Sequence, residues 1–433
     1  KKQMSIGNSA IKSYLIRVKP MKRILLLATA LLSTWSAASL LEAGDWPGWR
    51  GPQRTDVSSE TGLLKSWGDK GPRKVWSYEN AGLGYGGPAI VGNQMFLLGT
   101  RKESEVLISL DATSGKERWA TPIGSILNNG WGNGPRSTPT VDGNMVYAMG
   151  GRGNLLCANA QSGKIIWQAS MTDFGGRVPS WGYTESVLVD ENQVLCTPGG
   201  SQGAILALDK KTGKKIWQSA DFTDGAQYSS IIVVEHAGQR QYIQLTMKNV
   251  AGVAADTGKL LWKSSFPGRT AVVPTPIYHD NHVYVSSGYG SGCKLVKLDE
   301  NNQATEVYSN TLMKNHHGGV LRINNALYGY SDGAGWVCQD FKTGEKIWND
   351  RNFGKGSLTY ADGMLYCLTE RDGTLAMFQV SDTGWEEKGR FQIEPQSQIR
   401  SPRGRIWTHP VIANGKLFLR DQDLIFCYDI KQP

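Results

Sequence analysis

The residues best equipped for chemistry in this 433-residue chain gather in four short stretches. They are NNGWGNGPR with Trp131 and Arg136, VPSWGYTE with Trp181, Tyr183 and Glu185, KNHHGG with His316 and His317, and SPRGRIW with Arg403, Arg405 and Trp407. Arginine presents a planar fork that suits an anion, and tryptophan presents a large flat apolar surface. The chemistry these stretches point to is therefore recognition. Adjacent histidines in an extended segment project to opposite sides, so His316 and His317 are not expected to share a metal ion. No metal site is expected elsewhere either. Glu185 is expected to be a rim carboxylate paired with arginine.

What must position these residues is a repeat. The phrases LDATSGKERW, ANAQSGKIIW, LDKKTGKKIW, AADTGKLLW and QDFKTGEKIW end at Trp119, Trp167, Trp217, Trp262 and Trp348. The first four tryptophans are 48, 50 and 45 residues apart, and the gap of 86 to the fifth leaves room for a degenerate copy, LDENNQATEVYS. In each phrase an apolar run ends in an Asp or Asn able to cap the following turn, and a glycine supplies the positive φ of a tight hairpin. Four residues on, tryptophan offers a docking surface to a neighbouring unit. A second pair of alternating apolar runs precedes each hairpin, as in STPTVDGNMVYAMG and HPVIANGKLFLR.

Two hairpins per unit make a four-stranded antiparallel blade, and a period of about 40 to 50 residues is β-propeller spacing. The fold expected is all-β: an eight-bladed propeller with inner hairpins beginning near Pro88, Thr138, Ser186, Ser230, Thr275, Gly319, Gly356 and His409, with seven blades as the alternative. The last unit lacks an outermost strand, and PRKVWSYE, with Trp76 in the docking role, is available to supply it and close the ring. The propeller is expected over 72–433, after a lead-in segment over 39–71. The four stretches then fall on connections between one blade's outer strand and the next blade's inner strand, around the mouth of a central channel. One histidine of the pair is expected to face the channel and the other to pack. GLGYGG and SGYGSG do not lie between a strand and a helix, so they read as turns rather than nucleotide loops.

The phrases resemble the tryptophan-docking repeat of the pyrroloquinoline-quinone-like (PQQ-like) propeller superfamily, roughly Ala-x-Asp-x-x-Thr-Gly-x-x-x-Trp. The likeness runs from about residue 72 to the end, and GDWPGWRGP near the start resembles exported, uncharacterised bacterial members. Cys157, Cys338 and Cys427 fall where the family has alanine, which implies separate structural thiols; Cys196 and Cys367 lie in inner hairpins, and Cys293 lies in SGYGSGCK. The superfamily includes both quinoprotein dehydrogenases and a lipoprotein that assists outer-membrane β-barrel assembly, so the resemblance implies fold before function.

The formal charge of +9 would ordinarily suggest nucleic acid as a partner. Residues 1–38 hold seven Lys or Arg and no acid, and +9 less those seven is +2. Met21 to Ala38, MKRILLLATALLSTWSAA, has the three parts of a cleavable secretory signal, with the true start expected at Met21. Charge therefore points to export, not to nucleic acid, and no transmembrane segment is expected after it. The expectation is an exported, periplasmic or extracellular monomer that binds an envelope protein, peptide or glycan, with no cofactor. The alternative is a quinoprotein dehydrogenase holding PQQ with calcium. Against it, the chain has no Cys-Cys pair and no Cys-x-x-Cys-His haem site.

Overall fold

The computed structural model describes residues 44–433; the expected signal region, residues 1–38, lies outside the described residues. Eight antiparallel sheets of four strands follow one another along the chain, so the ring has eight blades rather than seven. The first is Ala89–Val91, Gln94–Arg101, Ser104–Asp111 and Glu117–Ser125. The next six span 140–170, 188–218, 232–265, 277–310, 320–350 and 356–392. The eighth takes three strands from 411–429 and its outermost strand, Arg73–Tyr78, from the other end of the chain, antiparallel to Leu424–Asp429. Closure by both chain ends thus completes the eighth blade at its outer edge.

The repeat phrase owes its form to two contacts. Within the hairpin, Asp111, Asn159, Asp209 and Asp340 each accept backbone N–H groups two and three residues on, at 2.7–3.1 Å. Between blades, each docking indole donates to a carbonyl of the next turn: Trp76 to Ala112 (3.1 Å), Trp119 to Ala160 (3.2 Å), Trp167 to Lys210 (2.9 Å), Trp217 to Ala255 (3.2 Å) and Trp348 to Ser381 (3.2 Å). Trp262 instead donates to Gln241 of its own blade at 2.9 Å. In the degenerate fifth unit Tyr308 takes the docking place and donates to Phe341 O at 2.9 Å.

The turn glycine lies under the ring. Gly213 has φ 70°, and a Cβ there would lie 2.7 Å from the Trp167 ring, so no other residue fits without displacing the indole. Across the ladder, Trp167, Trp348 and Trp76 pair with Cys157, Cys338 and Cys427, where a small side chain leaves room for the ring. All six cysteines are buried and free. The residue before a docking aromatic is bulged out of the ladder; at Ile166, Ile216, Val307 and Ile347 it is turned to solvent, between 40% and 48% exposed, whereas Val75 and Leu261 stay half-buried against the core.

The lead-in segment is woven into the ring. Val57–Ser58 pairs in parallel with the inner strand Gly356–Ala361 of the seventh blade, and residues 45–56 contact the channel walls of several blades. Arg54 donates to Ile231 O at 2.7 Å, to Ser186 O at 3.0 Å and to Val187 O, while Arg50 donates to Val320 O at 2.5 Å. The channel is plugged by this segment, not by the glycine-rich connections. Replacing a docking tryptophan removes a core ring that the next blade cannot collapse onto. Trp217→Ala is expected to lower the unfolding free energy by about 3 to 5 kcal/mol in a denaturant titration.

Candidate functional site

Above the plug, at the mouth ringed by the connections between blades, lies a cavity of about 220 Å³. Of the residues singled out in the sequence, Trp131, Arg136, Trp181, His316, His317 and Trp407 line it together. Trp49 from the plug, with Tyr85, Tyr228 and Tyr289, completes an aromatic wall. SGYGSG is a hairpin turn, GLGYGG is instead an irregular connection leading into the first blade, and their tyrosines, Tyr289 and Tyr85, reach the cavity. Trp49 comes from GDWPGWRGP, whose two tryptophans and arginine outside any strand pattern were the signal for it.

Local backbone dictates the glycine richness around Trp131. Gly132 has φ 140°, and a Cβ there would come within 1.7 Å of Tyr85 Oη. Only glycine lets the Trp131 loop fold over Tyr85. Trp131 stays 45% exposed, with the Arg403 guanidinium 6.0 Å from its ring centroid. The Arg136 guanidinium lies 5.0 Å from the Tyr85 ring centroid and is held by Trp181 O (2.6 Å) and Gly132 O (2.7 Å). Burial lowers its pKa, and no carboxylate lies within ion-pair distance of it among the described residues.

The far wall is an aromatic chain. Tyr85 and Trp407 rings are 5.1 Å apart, Trp407 and His317 5.9 Å, His317 and His316 5.1 Å, and His316 and Tyr289 4.7 Å. Both histidines face the cavity, because Tyr289 and Trp407 hold their rings from either side; the strict alternation of an extended strand does not apply here. Burial, with His317 and Lys355 nearby, pushes His316 down to about 3, so it is neutral at pH 7, and its Nδ1 lies 3.2 Å from Lys355 Nζ. Burial lowers His317 as well. Its Nε2 lies 3.0 Å from Glu370 Oε2, which also accepts the Trp407 indole N–H at 3.2 Å. Burial works to raise Glu370, but His317 and Lys355 outweigh it and bring it down to about 2. Glu370 is thus an ionised brace behind the wall, which sequence reasoning missed for want of a motif.

Four candidates do not line the cavity. Tyr183 is buried between blades, its hydroxyl donating to Pro198 O at 3.1 Å. Arg403 and Arg405 lie on the rim, Arg405 donating to Gly404 O at 2.8 Å. Glu185 is no rim carboxylate: it is 1% exposed and accepts Thr197 N at 2.7 Å and Thr197 Oγ1 at 3.1 Å. It lies at the inner end of its connection, where the chain has already entered the third blade. Beneath the cavity the plug carries its own charges, with Arg50 Nε 2.5 Å from Asp56 Oδ2 and His409 Nδ1 3.1 Å from the same oxygen. The rings of His409 and Trp49 are 4.7 Å apart, so His409 backs Trp49, which lines the cavity.

The family described as outer membrane protein assembly factor BamB matches residues 102–350. The chain belongs to that family of PQQ-like propellers. Over 161 residues it is 27% identical to outer membrane protein assembly factor BamB of Kangiella koreensis, a stretch that is 36% of this chain and 35% of that protein. Over 237 residues it is 24% identical to tetrathionate hydrolase of Acidithiobacillus ferrooxidans, 49% of this chain and 43% of that one. The chain thus matches less than half the length of these curated relatives. Among solved structures, BamB from Moraxella catarrhalis superposes with a TM-score of 0.60 at 15% identity, covering 83% of this chain and all (100%) of that one. Quinohemoprotein alcohol dehydrogenase from Comamonas testosteroni gives 0.61 at 12% identity, covering 92% and 82%. At such identities these likenesses describe the fold, which an assembly factor and a dehydrogenase share.

Burial raises the Glu185 carboxyl to about 7, well above its value in an unfolded chain. The folded state therefore holds this proton more tightly, so stability from this group is fully present below about pH 4.5 and is lost as the pH rises through 7. Denaturant unfolding of the wild type should show that loss between about pH 4.5 and 7, and Glu185→Gln should remove it.

Proposed function

We propose that this chain is a binding or scaffolding propeller of the cell envelope that holds a segment of a partner protein in the aromatic cavity at its channel mouth. The observation that carries this reading is the cavity wall: tryptophan and tyrosine rings around it and one half-buried guanidinium, Arg136, without a carboxylate partner among the described residues. Tryptophan, tyrosine and arginine are the residues that dominate binding energy in protein interfaces. The wall favours an apolar or aromatic side chain of the partner, and Arg136 favours an acidic group next to it. The volume of about 220 Å³ is below the range of about 300 to 1,000 Å³ usual for cofactor and small-ligand pockets, and suits a side chain better. The family relationship supports a protein partner at the outer membrane, and the signal-like segment 21–38 supports export. Among the described residues no helix is long and apolar enough to cross a membrane.

The dehydrogenase alternative requires a pocket for PQQ and calcium, a hard cation that takes six to eight oxygen ligands. No carboxylate lines the cavity; Glu370, behind the wall, is already engaged by His317 and the Trp407 indole. Among the described residues no group of three or more His, Cys, Asp or Glu is arranged to hold a metal ion. The donor set does not fit that group.

Two measurements test this reading. Trp131→Ala should weaken capture of the envelope partner by about 2 kcal/mol, roughly thirtyfold, with the unfolding midpoint unchanged because Trp131 is exposed. Titration of the protein with PQQ and calcium should give neither a saturable absorbance change nor a rise in Tm; a saturable, calcium-dependent rise would favour the dehydrogenase.

A further inference from the structure

On five blades the bulge before the docking aromatic ejects one side chain to solvent, but what surrounds that side chain differs around the ring. On the first blade it is Arg118, beside Glu117 and Asp111. On the fifth and sixth, Val307 and Ile347 stand among charges of both signs, Glu306, Lys342 and Glu345. On the second and third blades the ejected residues are Ile166 and Ile216, 46% and 48% exposed, with Ile165 beside them at 38%. Their neighbours are lysines.

Docking fixes how close these lie. Trp167, next to Ile166, donates to Lys210 O and covers Gly213, so the turn carrying Lys211, Lys214 and Lys215 abuts the second blade. Trp217, next to Ile216, covers Gly258 in the same way and brings Lys259 alongside. With Lys164 and Lys263 this makes six exposed lysines, none in an ion pair. Asp142 is paired with Lys210 at 2.7 Å; the other carboxylates of these turns are Glu191, Asp209 and Asp256, and Asp209 is occupied by the backbone and Thr212 hydroxyl of its own turn. The unpaired lysines outnumber these other acids two to one on a surface studded with isoleucine.

We propose that this edge of blades two to four is a docking surface for an anionic lipid bilayer, with Ile165, Ile166 and Ile216 entering the interface and the lysines meeting phosphate headgroups. Charge complementarity names the occupant, since a chain near neutral after residue 38 concentrates unpaired cations here. Exposed isoleucines among them favour a surface with an apolar layer beneath its charges over a purely acidic protein. The hairpin turns lie at the strand ends opposite the connections that form the channel mouth. Docking through them leaves the aromatic cavity facing away from the bilayer, open to a partner. This surface stands independently of the cavity's occupant.

The test is co-sedimentation of the chain from residue 39, which holds every element described above, with vesicles of phosphatidylcholine with or without phosphatidylglycerol. Partition at low salt is expected to be at least about tenfold stronger with phosphatidylglycerol and to fall as salt rises. Lys214→Glu with Lys215→Glu, and separately Ile166→Ser with Ile216→Ser, should each lower it about tenfold, with thermal unfolding unchanged because all four positions are exposed. Ile347→Ser, the same bulge position outside the lysine cluster, should leave it unaltered. Equal partition into both vesicle types, or the same loss from Ile347→Ser as from the paired isoleucine variant, would overturn the proposal.

Discussion

The propeller depends above all on one contact, made by Trp76, Trp119, Trp167, Trp217 and Tyr308: an aromatic ring on the outer strand of a blade, laid over the turn glycine of the next and hydrogen-bonded to a carbonyl of that turn. A four-stranded sheet of this size has two apolar faces and cannot bury either alone. The core consequently lies between blades, as where Leu188 and Leu195 of the third meet Ile231 and Tyr242 of the fourth. The ring fixes the rotation between those faces, the glycine permits the approach, and the small residue across the ladder makes room. Where tryptophan is missing, in the fifth unit, Tyr308 keeps both the stacking on Gly344 and the hydrogen bond.

A ring fixed in this way creates a channel lined by inner-strand backbone, and the chain fills it with its own lead-in. Arg50 and Arg54 answer inner-strand carbonyls from several blades, so the plug couples units that do not touch one another. Burying such cations is costly, and burial brings Arg54 down to about 10. The cost is offset by the carbonyls and, for Arg50, by Asp56. Since the plug's Trp49, backed by His409, lines the cavity, the candidate site is a consequence of closure as much as of the loops above it.

Much of this was legible in the residues. Period, turn glycines and tryptophans announced blades and their number, and the unpaired strand around Trp76 announced how the ring closes. The connections bearing Trp131, Trp181, His316 and Trp407 were recognisable as unusual. Less accessible was the side of the wall each residue would take. Glu185 and Tyr183 follow Trp181 within four positions, yet both are buried where the connection has already merged into its blade, while Thr184 between them reaches the cavity. The assumption that adjacent histidines diverge failed because the KNHHGG segment is not a strand, and ring contacts on both sides turn His316 and His317 the same way.

The sequence by itself determined the blade, the ring and its closure, because these rest on short-range periodicity and on a phrase whose glycine and tryptophan act over a fixed separation. Only the tertiary structure decided what the lead-in does and how the cavity is composed. Trp49, Tyr85, Glu370 and Trp407 are spread along the chain and share no motif, and what brings them together is the curvature of a closed ring, a property of all eight interfaces between blades at once.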